Sequence, residues 1–234
     1  MRKKQSIKTI GLASVGIAGA VALGGCDLDT DVEVYISDLV NVAETGESDS
    51  TPAEIGIEMG SMDQCQDDMG EVESIMQRHL PDFEARQCVQ QNFQTYLQAE
   101  ATIAMVAGFD LDRVEGLFSI GVEKATISPE RTGYDAQFMV DRERFDQLSQ
   151  EVERRYFQDV NFADSRLTVR VNNDERDVWT VHGQYIYFDE TPVEQGSVEL
   201  GRRDRTRIQL SDVARGALMS HGSTRLMVLE SSND

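Results

Sequence analysis

Two hydrophobic periods organise this chain. Val32, Val34 and Ile36 alternate with polar neighbours, as a half-buried strand requires. Residues 44–52 are polar, with Gly46, Ser48, Ser50 and Thr51, and read as a surface loop; Ile55, Ile57 and Met59 then form a second strand. Ser61 with Gln64 three residues on is a capping box. It predicts a helix over 62–79 that presents Met69, Val72, Ile75, Met76 and Leu80 to a core and is stopped by Pro81. The longest alternation follows over 95–106, with Leu97, Ala99, Ala101, Ile103 and Met105 on one face. Shorter strands are predicted over 117–123 and 134–140, and Asp141 caps a second helix bearing Phe145, Leu148, Val152 and Tyr156. Leu167, Val169 and Val171, the turn residues Asn172-Asn173-Asp174, and the aromatic and β-branched run 178–188 read as a hairpin. A last unit comprises strand 205–210, a helix from the Ser211 cap to near Gly222, and strand 224–229.

A strand-to-helix step thus occurs at 55–76, 136–152 and 208–219, without residue identity between the copies, so it is an architectural likeness and not a repeat. The expected fold is α+β: a mainly antiparallel sheet with about three amphipathic helices packed on it. One domain over 32–230 is expected, since no linker-like composition divides it; two lobes meeting near 157–165 is the alternative.

Ahead of this domain lies an address. Arg2, Lys3, Lys4 and Lys8 precede an apolar run over 10–23, and Leu23-Gly24-Gly25-Cys26 resembles the lipobox of bacterial lipoproteins. The resemblance implies that residues 1–25 are a signal peptide and that Cys26 carries lipid, with 26–31 as an acidic tether. A transmembrane anchor is the alternative, but it needs about 20 apolar residues. A simple cleaved signal with a chance cysteine is another. The protein is expected in the cell envelope, membrane-bound through lipid on the periplasmic or extracytoplasmic side. Asp27 resembles the residue that retains enteric lipoproteins in the inner membrane.

Charge narrows the partners. Without Arg2, Lys3, Lys4 and Lys8, 18 of the 22 basic residues remain against all 42 acidic ones, a formal charge of −24. Nucleic acid is excluded as an expected partner, because phosphate binding draws on clustered positive charge. Lys124 is the sole lysine after Cys26; acid excess with few lysines suits a salty medium, and an arginine-favouring genome gives the same bias. With Cys26 committed to lipid, Cys65 and Cys88 remain, and an oxidising compartment pairs them in a disulfide. The rival is a metal site of Cys65, Cys88 and His79, which lacks a fourth ligand.

Catalytic patterns are sparse. Ser119 follows Gly116 by three residues where a nucleophile elbow needs two, so it reads as a strand residue. His79, His182 and His221 fall in unrelated elements. Asp27, Asp29 and Asp31 begin with calcium-loop spacing, but Val32 stands where glycine is required, and Asp110 with Asp112 fails likewise. No cofactor motif is present, and no metal or catalytic site is expected. One feature opposes the global charge: Arg203, Arg205 and Arg207 would share one strand face, either as a docking patch for an anionic partner or as a solvated face paired with nearby carboxylates. The paired face is the expected reading.

The acidic residues after Cys26, the run Tyr35-Ile36-Ser37-Asp38-Leu39, the two later cysteines and Tyr96-Leu97 together resemble an uncharacterised group of small lipoproteins from bacterial and phage-derived genomes. That resemblance implies no activity. The function expected is a non-enzymatic binding or envelope-interaction module with an envelope protein or polymer as partner; an envelope hydrolase with dispersed catalytic residues is the alternative.

Overall fold

A computed structural model of the chain describes residues 27–128, 131–156, 160 and 165–232. Its elements are β1 (Leu28–Tyr35), α1 (Ile36–Thr45), β2 (Asp49–Met59), α2 (Met62–Met76), β3 (Glu84–Gln91), β4 (Gln94–Ala107), β5 (Phe118–Ser128), β6 (Arg131–Val140), α3 (Arg142–Tyr156), β7 (Leu167–Asn172), β8 (Trp179–Phe188), β9 (Thr191–Leu200), β10 (Arg205–Leu210), α4 (Asp212–His221) and β11 (Ser223–Ser231). Nine strands close into a barrel in the order β10-β7-β1-β2-β4-β5-β6-β11-β8 and back to β10. β3 and β9 stand outside the ring, hydrogen-bonded to β4 and β8 respectively.

This mostly β, closed architecture overturns the α+β expectation of a sheet covered by helices. Alternation says that one strand face is buried and is silent on what buries it. Here Val32 and Val34 on β1, Ile55 on β2, Leu97 and Ile103 on β4, Val169 on β7 and Ile208 on β10 all turn their buried side chains into the ring. The opposite wall does the work expected of helices. Among the described residues the four helices span 10 to 15 residues; α2 and α3 meet beside Leu28 and Ile57, leaving an apolar cavity of ≈ 40 Å³ against Met76, Leu148 and Val152.

Closure falls to β8. Its residues 179–182 pair with β11 and its residues 186–188 with β10, on the edge that β9 leaves free. Tyr185, at φ 54, breaks the extended run between the two partners.

Local signals placed most elements. Ser61 accepts a hydrogen bond from the Gln64 N–H at the start of α2, Asp141 from the Arg144 N–H at the start of α3, and Ser211 from the Ala214 N–H at the start of α4. Several expectations need correction. The tether over 26–31 is mostly strand: Leu28 and Thr30 are buried, and Asp29 and Asp31 face outward from the first half of β1. Ile36 opens α1 instead of ending a strand, with Leu39 and Val42 buried beside it at helical spacing. The hairpin proposed between 167 and 188 does not form, because β7 has both edges occupied, by β1 in parallel and by β10 antiparallel. The ring also takes strands from both sides of residues 157–165, where a lobe boundary was the alternative. Cys65 on α2 and Cys88 on β3 are joined by a disulfide with a Cα–Cα separation of 6.0 Å, which fastens the strand outside the ring to a helix.

Candidate functional site: a polar groove on the outer wall

The outward positions of the wall follow from register. Gln87 on β3 lies opposite Gln98 on β4, Gln98 opposite Gly56 on β2, and Gly56 opposite Asp29 on β1. A neighbouring row runs from Asp31 on β1 through Thr168 on β7 to Gln209 on β10. Because alternate residues on each strand point the same way, these rows form one continuous polar surface. They floor a groove of ≈ 540 Å³, rimmed by Arg86 and Gln91 on the β3 side and by Arg207 and Glu190 on the other.

Gly56 opens the middle of that floor. A Cβ there would meet Asp29 Cβ at 3.5 Å and Tyr96 Cδ1 at 3.8 Å, ordinary contacts, so alanine fits and a longer side chain would have to fill the groove.

The groove's charges are mostly spoken for. Arg166 donates from Nε and Nη2 to Asp29 Oδ2 at 3.0 and 2.6 Å, and its backbone N–H donates to Asp29 Oδ1 at 2.7 Å. On the same wall, Arg170 Nε donates to Asp31 Oδ1 at 2.9 Å and Asn172 Nδ2 to Glu33 Oε1 at 3.1 Å, so β1 and β7 are laced by a ladder of polar pairs. Arg86 Nη2 reaches Glu100 at 2.7 Å and also pairs with Glu84. Tyr96 donates its hydroxyl to Gln94 Oε1 at 3.0 Å; burial raises its pKa, and the charges of Asp29 and Glu58 add to the rise. Arg207 differs. Its backbone N–H donates to Asp189 Oδ1 at 3.0 Å, but its guanidinium has no ion pair or hydrogen bond with a described residue.

The arginine row expected at 203, 205 and 207 is therefore divided. β10 begins at Arg205, so Arg205 and Arg207 share the outer face, while Arg203 sits in the preceding turn at φ 70 with its N–H donated to Asn173 O. None of the three guanidinia meets a carboxylate among the described residues, which corrects the expectation of a face neutralised by Asp and Glu. Arg207 alone lines the groove.

The other candidates do not converge. Ser119 is buried in β5, with its hydroxyl donated to Glu115 O at 3.3 Å and accepting the Glu115 N–H at 3.0 Å. His79 is buried after α2, where burial lowers its pKa against the opposing pull of Glu151. His182 lies 3.0 Å from Glu230 on β11, and His221 Nδ1 3.1 Å from Ala217 O in α4. Asp38 on α1 has its pKa raised by burial, and by the charges of Asp49 and Asp174. Asp110 caps a short turn by accepting the Asp112 N–H. Among the described residues no group of three or more His, Cys, Asp or Glu is placed to hold a metal ion. Cys26 lies outside the described residues. No helix among them is long and apolar enough to cross a membrane.

The groove residues from β3, and Gly56, carried no sequence signal. Gln87, Gln91, Gln98 and Gly56 come together only through pairing across three strands.

A family model described as a domain of unknown function, DUF7424, matches residues 29–233, and the chain belongs to that family. No curated protein and no solved structure matches it.

Proposed function

We propose that this family member is a lipid-anchored binding module of the cell envelope, non-enzymatic, held by acylated Cys26 and using the outer-wall groove to bind a polar, carboxylate-bearing polymer. The lipobox supports the anchor. The unpaired guanidinium of Arg207 carries the ligand reading, because it stands at the rim of a polar groove whose other arginines, Arg86 and Arg166, already hold carboxylates. Such a group offers a bidentate contact to a ligand carboxylate. The open floor at Gly56 and the amides of Gln87, Gln91 and Gln98 suit hydroxyl and amide groups. A binding module is favoured over a hydrolase because Asp38 and His79, whose pKa values burial shifts, lie on separate elements outside the groove, and Tyr96, the shifted tyrosine that lines it, has neither of them beside it.

Calorimetric titration with soluble peptidoglycan fragments that carry free carboxylates tests this. The wild type should bind, Arg207→Gln should weaken binding about tenfold or more, and Gly56→Ile should abolish it with the barrel's circular dichroism intact. Absence of binding by the wild type, or equal binding by both variants, overturns the ligand reading.

A further inference from the structure

The hairpin of β3 and β4 turns through Asn92 and Phe93, both at positive φ, 48 and 70. Two-residue hairpins favour this mirror-image turn, and asparagine tolerates it; phenylalanine rarely enters it, and glycine is the usual choice. Phe93 is also 100 % exposed. An apolar ring in water and an unfavourable backbone conformation thus coincide at one residue, and no contact within the described fold offsets either.

Charge singles out the same place. Residues 87–99 contain no Asp, Glu, Lys or Arg, the longest such run after Cys26 in a chain with 42 acidic residues. Gln90, Gln91 and Gln94 surround the tip with groups that hydrogen-bond without charge.

Register then places the tip. Leu28 on β1 pairs with Ile57 on β2, and Ile57 with Leu97 on β4, and both outer strands run antiparallel to β2. β1 and β4 therefore start at the same end of the barrel. Phe93, four residues before Leu97, stands about 13 Å beyond the level of Leu28 at about 3.3 Å per residue. Asp27, the first described residue, directly precedes Leu28, so the chain enters β1 at this end. The hairpin tip and the point where the chain enters the barrel belong to one end of the molecule.

We infer that the Asn92–Phe93 tip is a second membrane contact: with acylated Cys26 holding this end of the barrel at a bilayer, Phe93 enters the headgroup region. The inference rests on the anchor reading above. Aromatic side chains are favoured at the membrane interface, and an uncharged tip escapes the repulsion that the acidic surface meets from anionic lipid. A single lipidated residue leaves the barrel free to swivel. A second contact removes that freedom and holds the groove, on the outer wall of the same strands, at a fixed height above the lipid.

The test uses the acylated full-length protein reconstituted in neutral phosphatidylcholine vesicles, with Phe93→Trp as reporter and the wild type, whose one tryptophan is the buried Trp179, as background. Bromine-labelled lipid should quench the Phe93→Trp emission at least twofold and leave the wild-type emission unchanged. Flotation with the vesicles but no added quenching overturns the membrane contact and leaves the anchor standing. An unacylated Cys26 by mass spectrometry, with no flotation, removes the anchor reading and this inference together.

Discussion

The β3–β4 and β8–β9 hairpins end in turns of the same backbone and opposite chemistry. Asn92 and Phe93 have φ of 48 and 70; Asp189 and Glu190 have 44 and 71. At the second turn the Asp189 carboxylate accepts from the Thr206 hydroxyl at 3.1 Å and the Arg207 N–H at 3.0 Å, while its own N–H donates to Arg207 O at 2.9 Å. That tip is knitted to β10 beside the groove. At the first, the aromatic ring meets only solvent. Equal backbone cost is offset inside the molecule in one case and left uncovered in the other, and an uncovered cost directs attention to what lies outside the fold.

Removing the disulfide should separate the two hairpins most. Cys65→Ser with Cys88→Ser should cost about 3 kcal/mol in the chain-entropy model, given the sequence separation of 23. Hydrogen exchange should quicken in β3 and stay unchanged in β9; equal quickening in both would mean that the bond acts on the whole barrel. Next come the tips themselves, with effects of opposite sign. Asp189→Ala should destabilise by about 1–2 kcal/mol through its lost hydrogen bonds, whereas Phe93→Gly should stabilise by up to about 1 kcal/mol by relieving the left-handed conformation. Urea midpoints moving in the same direction would dissolve the contrast.

A smaller effect concerns the acidic crowding that the Phe93 tip lacks. Burial, with Asp49 and Asp174, raises the Asp38 pKa, so the folded protein keeps that proton to higher pH than the unfolded chain does. Stability is then lost as pH rises above the ordinary carboxylate value through the raised one, and it stays lost at neutrality. Asp38→Asn should raise the thermal midpoint at pH 7 and leave it unmoved near pH 3; a gain of the same size at both values would deny the charge effect.

How much of this was legible in the sequence depends on where the governing interaction lies. Ser61, Asp141 and Ser211 act within their own helical turn, and each cap stands where the sequence placed it. The alternation of Leu97 to Met105 gave β4, which belongs to the wall's buried face. β3 and β9 were not legible: Glu84–Gln91 is glutamine-rich with a bulge between Ala85 and Gln87, and Thr191–Leu200 contains Pro192 and Gly196. Both are strands because β4 and β8 offer them hydrogen bonds. The helical spacing of Ile36, Leu39 and Val42 was readable, but the alternation of Val32, Val34 and Ile36 competed with it. The groove could not be read at all, since its floor and rim are assembled by registers linking distant strands, and the Asn172-Asn173-Asp174 turn gave no hint that β7 would lie beside β1.

That last pairing bears on the order in which the chain can fold. Thr30 meets Leu167 and Tyr35 meets Asn172, so β1, whose first neighbour β2 follows it directly in the chain, waits for well over a hundred residues before its second neighbour arrives. Contacts of such separation form slowly, and a strand with one vacant edge invites pairing with a neighbouring copy. β1 meets this hazard with Asp29, Asp31 and Glu33 on its outer face, like charges that keep two waiting strands apart. Once β7 arrives, Arg166, Arg170 and Asn172 take up those same three carboxylates, so the guard on the vacant edge becomes the fastening of the finished wall.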